Sequence, residues 1–284
     1  MDKLRLLLPK GRIYGNVISL FSGAGIQIVL PERAYRPIVN QDDLEAKVMK
    51  PQNIGKLLEL GSHDAGFTGY DWISETSADV EEVMDLGFDR VRIVAAVPAE
   101  IDDRALRSRR IIVATEYESL ARRWLTGGGY DFLIVRTHGA TEVFPPDDAD
   151  MIIDNTSSGR TLSENGLRIV DTLMESSTRF FASKAALRDR AKQKKILELK
   201  MLFDGVLNAR NRVMLEMNVP RDKFPTLVRE LPAMRSPTVS PLYGDDGYAI
   251  KIAVQKSEVP QLLPRLKELG ASDILEYELR KVLA

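Results

Sequence analysis

Short apolar runs, rich in β-branched residues and bounded by Gly, Pro or Asp, recur through the first two-thirds of the chain. Leu4 to Leu8, Ile26 to Leu30, Ala65 to Thr68, Val91 to Val97, Ile111 to Ala114, Phe132 to Val135, Met151 to Ile153 and Phe180 to Ala182 read as strands. Between them lie stretches with apolar residues at helical spacing: Asn16 to Ala24, Asn53 to Leu60 and Ser119 to Leu125. Strands alternating with helices predict βαβ units and mostly parallel sheets. Val97-Pro98 is a predicted break, because Pro interrupts a strand run and a polar, acidic stretch follows. From Ile101 to about Phe181 the pattern predicts a second sheet with its own helices. Lys184 to Arg212 then reads as a long amphipathic helix whose Lys and Arg fill a solvated face.

The last 70-odd residues change character. Val213 to Val219 reads as a strand, Arg221 to Leu231 as a helix after Pro220, and Thr238 to Tyr243 and Tyr248 to Val254 as strands. Gly244-Asp245-Asp246-Gly247 joins those two strands in a hairpin turn. Val259 to Leu269 is a helix closed by Gly270, and Ile274 to Leu279 a last strand. The order βαββαβ is ferredoxin-like.

Composition narrows the chemistry. The 284 residues hold 40 Lys plus Arg against 41 Asp plus Glu, a net charge of -1, so nothing favours a nucleic-acid or membrane partner. Cys is absent and only His63 and His138 occur, which excludes disulfides, thiolate chemistry and a His-rich metal centre. No apolar run approaches the ~20 residues that span a bilayer. The N-terminus, Met1 to Arg5, has no signal-peptide core. The expectation is a cytoplasmic α/β protein.

The most informative stretch runs from Asp150 to Leu162. An apolar strand ends in Asp154, then Asn155, Thr156, Ser157, Ser158, Gly159, Arg160 and Thr161 lead into a helix. Unpaired N–H groups at such a loop suit a phosphate, Gly159 lets the backbone approach it, and the hydroxyls and Arg160 add donors. Asp154, at a strand's C-terminal end, is placed to accept hydrogen bonds from vicinal sugar hydroxyls. These residues ask for a ribose 5-phosphate group; the same residues also serve if Asp154 and Thr156 merely cap the helix. The spacing is not that of a P-loop. By themselves, Lys10 and Arg12 read as surface turn residues.

With its neighbours, the segment resembles the phosphoribosyl pyrophosphate loop of the ATP phosphoribosyltransferase family. Leu8 to Arg12, Asp64 to Asp71, Leu86 to Phe88 with Arg92 to Pro98, Ile111 to Tyr117 and Gly139 to Glu142 resemble that family's motifs in order and spacing. Pro237 to Leu242 and Leu269 to Leu275 resemble the C-terminal domain of its long form. The resemblance implies a two-lobed catalytic core like that of periplasmic binding proteins, plus a ferredoxin-like regulatory domain. Residues 1–97 with 181–211 would form one lobe, 98–180 the second, and 212–284 the regulatory domain.

The implied reaction is a Mg²⁺-dependent attack of adenine N1 of ATP on C1 of phosphoribosyl pyrophosphate, the first step of histidine biosynthesis. The resemblance assigns catalysis to Asp154, Glu142, Lys10 and Arg12, and the sugar phosphate to Asp154 and residues 156–161. It assigns the nucleotide to Gly11, Lys50, Asp71 and Tyr117. Asn218, Met234, Ser236, Thr238 and Asp273 would bind histidine as inhibitor. No residue is assigned as a metal ligand, because Mg²⁺ is held mainly by substrate phosphates. AMP is a second implied inhibitor, and dimers and hexamers the implied assemblies. Two other readings fit parts of the chain: a non-catalytic two-lobed ligand sensor, and a phosphoribosyltransferase for another base.

Overall fold

The computed structural model describes residues 3–283 except 33, 233, 235 and 245; the terminal Met1 and Asp2, and Asp245 of the expected hairpin turn, lie outside the described residues. The first part of the chain runs β1 (Leu4–Pro9), α1 (Arg12–Ala24), β2 (Ile28–Val29), β3 (Ile38–Val39), β4 (Leu44–Met49), α2 (Pro51–Glu59), β5 (Ala65–Gly69), α3 (Tyr70–Thr76) and β6 (Glu81–Asp85). It continues with β7 (Val91–Pro98), α4 (Asp103–Ser108), β8 (Ile111–Thr115), α5 (Glu118–Gly127), β9 (Phe132–Arg136), β10 (Met151–Thr156), α6 (Arg160–Glu164), β11 (Leu167–Ser176) and β12 (Thr178–Ala182). After α7 (Lys184–Arg188) and α8 (Arg190–Arg210) come β13 (Arg212–Pro220), α9 (Phe224–Arg229), β14 (Thr238–Pro241), β15 (Gly247–Gln255), α10 (Val259–Glu268) and β16 (Ser272–Glu278).

Two five-stranded sheets form two lobes. The first has the order β4-β1-β5-β12-β6 and the second β11-β7-β10-β8-β9. In each, four strands run one way and the single strand entering from the other lobe, β12 in the first sheet and β7 in the second, runs against them. The central strands are apolar throughout because helices cover both faces. Ile93, Ala95, Val97 and Ile153 face one core of the second lobe, and Val94, Ala96 and Ile152 face another. In the first lobe, Leu7, Ile54, Leu58, Ile73 and Phe181 pack together.

The expected lobe boundaries move. The sequence reading ends the first lobe at residue 97 and resumes it at 181, but β7 belongs to the second sheet and all of β12 to the first. Pro98 does not break the strand, because it is the last residue of β7, where a missing N–H loses little. The chain therefore crosses between sheets at 85–91 and again at 176–178. Four strands escape the apolar-run reading, the two-residue β3 among them. β4 carries Glu45 and Lys47 on its half-buried face, β6 is an acidic edge strand, and β11 is bent by two irregularities in register. The strand expected at Ile26 to Leu30 shrinks to two residues. The long amphipathic stretch splits at Asp189, whose carboxylate accepts the first N–H groups of α8.

The chain divides into two compact units, Met1–Ser19 with Gln27–Leu197, and Leu20–Ile26 with Glu198–Ala284. The second unit thus begins within α8 rather than at residue 212, and takes in the end of α1. Within it, Phe21 and Phe203 meet edge to face. Its sheet has the order β14-β15-β13-β16, fully antiparallel, over a core of Val213, Leu215, Met217, Ile250 and Ile252. That is the expected ferredoxin-like arrangement.

Asp64, 3% exposed, anchors the first lobe. It accepts the Arg5 backbone N–H at 2.8 Å, the Arg5 guanidinium at 3.1 Å and the Lys192 ammonium at 2.9 Å. Burial pushes its pKa up, but the bonds from Arg5 and Lys192 outweigh burial and hold it below the ordinary carboxylate value. A depressed pKa means stability that is present above the unfolded value and lost as pH falls through the folded one. Asp64→Asn is expected to lower stability by about 1–3 kcal/mol at pH 7. The difference from wild type should shrink below about pH 4. Urea melts at pH 7 and pH 3 test this; a pH-independent difference would count against it.

Candidate functional site

The two crossings bring the strand ends of both lobes to one crevice. There Asp71 of α3, 4% exposed, receives the Ser176 hydroxyl at 2.6 Å and the Tyr117 hydroxyl at 2.8 Å. Asp71 comes from the first lobe, Tyr117 from the β8–α5 turn of the second, and Ser176 from the end of β11. Burial and the Asp71 carboxylate raise the Tyr117 pKa far above the phenol value, so the hydroxyl stays protonated and donates. Trp72 stacks on the Tyr117 ring, 4.6 Å between centroids. One turn on, Glu75 accepts the backbone N–H groups of Ser119 and Leu120, both at 2.9 Å. α5 has no side-chain cap of its own, so the first lobe caps a helix of the second.

The chain of contacts continues toward Asp154. Asn155 Nδ2 donates to the Tyr117 hydroxyl at 3.2 Å and to Asp154 Oδ1 at 3.1 Å. Asp154 also accepts the Asn155 backbone N–H at 2.6 Å. Its pKa is pushed up to about 6, first by burial and then by Glu116 and Glu142, against the lowering effect of bonds from Asn155 and Thr141. Glu142 sits in a single turn at Thr141–Val143, half-buried.

After Asp154 the loop closes on itself. Thr156 accepts the Gly159 N–H at 2.9 Å, and Gly159 holds φ at +81°, the left-handed region that favours glycine. Ser157, Ser158 and Thr161 are exposed. Arg160 pairs with Glu164 at 2.7 Å, on the solvent side of α6. The expected helix is only one short turn, so the loop's own N–H groups, rather than a helix dipole, are what it offers an anion.

A cavity of about 220 Å³ between the lobes is lined by Lys10, Arg12, Asp71, Glu116, Tyr117 and Asn155. The structure thus brings the basic turn of β1–α1 to the crevice that holds Asp71 and Tyr117. Lys10 Nζ lies 5.5 Å from the Tyr35 ring centroid. Gly11 has φ +92° and lines a neighbouring hollow beside Tyr14 and Tyr35. Lys50 precedes α2 without a side-chain capping bond and lines a third, larger cavity of about 880 Å³ with Glu75, Glu116 and His138. Glu116, Asn155 and Ser176 carry no role in the sequence reading. Each is a common polar residue in or beside a motif, and only the fold shows what it faces.

The five residues expected for histidine are not gathered in one place within a chain. Asn218 donates to Asp273 at 3.0 Å on the β13–β16 side. Thr238 lies on β14 at the opposite edge, with β15 and β13 between, a span of roughly 14 Å at the usual strand spacing. Ser236 and Met234 precede it in the same exposed loop.

A two-lobed α/β core with a strand-end carboxylate, a loop of open N–H groups and basic side chains at its crevice has the form expected of a phosphoribosyl-transferring protein. The comparisons agree. Residues 50–204 match the family described as ATP phosphoribosyltransferase, and residues 209–281 match the C-terminal domain of the same family. ATP phosphoribosyltransferases of Desulforudis audaxviator and Pelodictyon phaeoclathratiforme are 42% and 39% identical, over 99% of this chain and 99% and 97% of theirs. A solved ATP phosphoribosyl transferase complex from Thermotoga maritima shares the fold, with TM-score 0.63 and 24% identity over 70% of this chain and 98% of that one. The chain belongs to the ATP phosphoribosyltransferase family, in the form that carries the C-terminal domain.

The raised pKa of Asp154 makes the ionised carboxylate a burden on the folded state. Stability should therefore fall as pH rises from about 4 to 6, the reverse of Asp64. Asp154→Asn is expected to melt at least about 2 °C above wild type at pH 8, with the gap closing near pH 4. Equal melting temperatures at pH 8 would show that the site does not strain its carboxylate.

Proposed function

We propose that the chain joins ATP to phosphoribosyl pyrophosphate in this crevice, forming a bond from adenine N1 to ribose C1 and releasing pyrophosphate. The observation that supports the reading best is the placement of Asp154 and its loop in the second lobe, one hydrogen-bonded step from a cavity that Lys10 and Arg12 of the first lobe also line. Loss of pyrophosphate builds positive charge on the ribose and negative charge on the leaving group. Asp154 holds the ribose hydroxyls, and the loop with Arg160 holds the 5-phosphate, so C1 meets the nucleophile in a fixed pose. Lys10 and Arg12 balance the charge growing on pyrophosphate. Adenine N1 is unprotonated near neutral pH, so no general base is required. Asp71, Tyr117, Gly11 and Lys50 flank the nucleotide.

Mg²⁺ fits the oxygen chemistry here. Glu116 and Glu142, both close enough to bear on Asp154, would hold it through water while substrate phosphates supply the other ligands. When bound, it would add positive charge to the pyrophosphate. Among the described residues there is no group of three or more His, Asp or Glu side chains poised as a metal site. No helix among them is long and apolar enough to cross a membrane; the reaction and this agree with a place in the cytoplasm. Histidine as feedback inhibitor belongs to the C-terminal domain, with Asn218 and Asp273 as its polar contacts and Thr238, Ser236 and Met234 on the far edge. AMP competes for the nucleotide position, and the chain works as a homo-oligomer, dimer or hexamer.

The test is pyrophosphate release, with the ultraviolet change of the adenine, from purified protein with ATP, phosphoribosyl pyrophosphate and Mg²⁺. Turnover is expected, falling about 100-fold or more in Asp154→Asn and clearly in Arg160→Ala. Histidine should suppress it, and Asp273→Ala should relieve the suppression. Folded protein that binds phosphoribosyl pyrophosphate but ignores ATP would point to another acceptor base; response only to amino acids would point to a sensor.

A further inference from the structure

A further cavity, of about 430 Å³, opens beside the same loop; of the substrate-binding residues assigned above only Ser157 lines it. Ser157 lines it, together with Arg90, Arg92, Arg179, Asp85 and Glu175. Three guanidinium groups face two carboxylates. Most of these charges are already engaged. Asp85 accepts the Ser177 hydroxyl at 2.7 Å and the Gly87 N–H at 2.8 Å, and lies 3.7 Å from Arg179. Arg179 pairs with Glu82 at 2.6 Å and lies over the Tyr70 ring. Arg90 donates to the Gly87 carbonyl.

Arg92 differs. It is half-buried, yet among the described residues its guanidinium has neither an ion pair nor a hydrogen bond. In the sheet it stands opposite Thr156 on one side and Glu175 on the other, so the three side chains share a face. Glu175 points to solvent and makes no ion pair with it. Thr156 is the residue whose hydroxyl closes the loop. A guanidinium carries five donors in a planar fork matched to phosphate oxygens, so donors left open to a cavity beside an anion loop suit a phosphate ligand.

We propose that Arg92 is a binding residue for the 5-phosphate of the ribosyl donor, reaching it from the sheet while the 157–160 loop holds it from the other side. The proposal rests on the reading of the crevice given above and adds a donor to which the resemblance assigns no role. The 5-phosphate, rather than pyrophosphate, is the partner, because Arg92 adjoins Thr156 and Ser157, whereas Lys10 and Arg12 line a different cavity.

Calorimetric titration of the full chain with ribose 5-phosphate and, separately, with inorganic pyrophosphate tests this. Arg92→Gln should weaken ribose 5-phosphate about 10- to 100-fold and leave pyrophosphate unchanged, with Arg92→Lys in between. In turnover, Arg92→Gln should raise KM for phosphoribosyl pyrophosphate and not for ATP. Wild-type turnover together with unchanged ribose 5-phosphate binding in Arg92→Gln would overturn the proposal alone, as would loss of pyrophosphate binding instead. Wild-type protein that neither binds these phosphates nor turns over would overturn the reading of the crevice, and this proposal with it. Should Arg92→Gln not fold, the Arg92→Lys comparison decides on the same terms.

Discussion

A buried carboxylate must have partners, and Asp71 finds them on two distant parts of the chain. Its own backbone N–H and one carboxylate oxygen both engage Ser176, and the other oxygen takes Tyr117. Removing a partner from such a group costs about 1–3 kcal/mol, because the remaining one keeps the desolvation penalty without the bond. The arrangement also dictates residue 69. A Cβ there would collide with Asp71 Oδ1, so Gly69 is required for space although its backbone is ordinary. The Glu75 cap on α5 and the Trp72–Tyr117 stack reinforce the same junction. Helix α3 therefore fixes where the second lobe's β8–α5 turn sits, and with it the wall of the crevice.

The chemistry follows from that junction by a short relay. Tyr117 accepts from Asn155, and Asn155 donates to Asp154. Asp154 is thus oriented by contacts that begin in the other lobe, while burial and two nearby glutamates disfavour its charge. A group held against its own preference is a usual mark of a working site, where stability is given up for an exact position. Asp64 shows the opposite balance: two cations satisfy it, and its work is to hold the fold.

The fold was largely legible where the pattern was strong. The apolar runs at Leu4, Val91, Ile111 and Met151 became buried central strands, and the tail's βαββαβ order became its antiparallel sheet. Strands with charged faces, such as β4 and β6, were hidden because only one side of each packs. The lobe boundary was misplaced because Pro98 looks like a break from sequence but ends a strand in the structure. Asp154 and its loop were visible as a motif. Glu116 and Arg92 lie within motifs but, like Ser176, carry no role in the sequence reading, since what distinguishes them is the neighbour the sheet brings alongside. For the C-terminal domain, the motif named five residues, but strand order places Thr238 and Asp273 at opposite edges.

The most direct measurement is a crystal structure of the full chain with phosphoribosyl pyrophosphate and Mg²⁺. The account predicts the ribose hydroxyls on Asp154, the 5-phosphate within the 157–160 loop, and the pyrophosphate toward Lys10 and Arg12. A ligand bound elsewhere, with Asp154 still facing only Asn155 and Thr141, would contradict it.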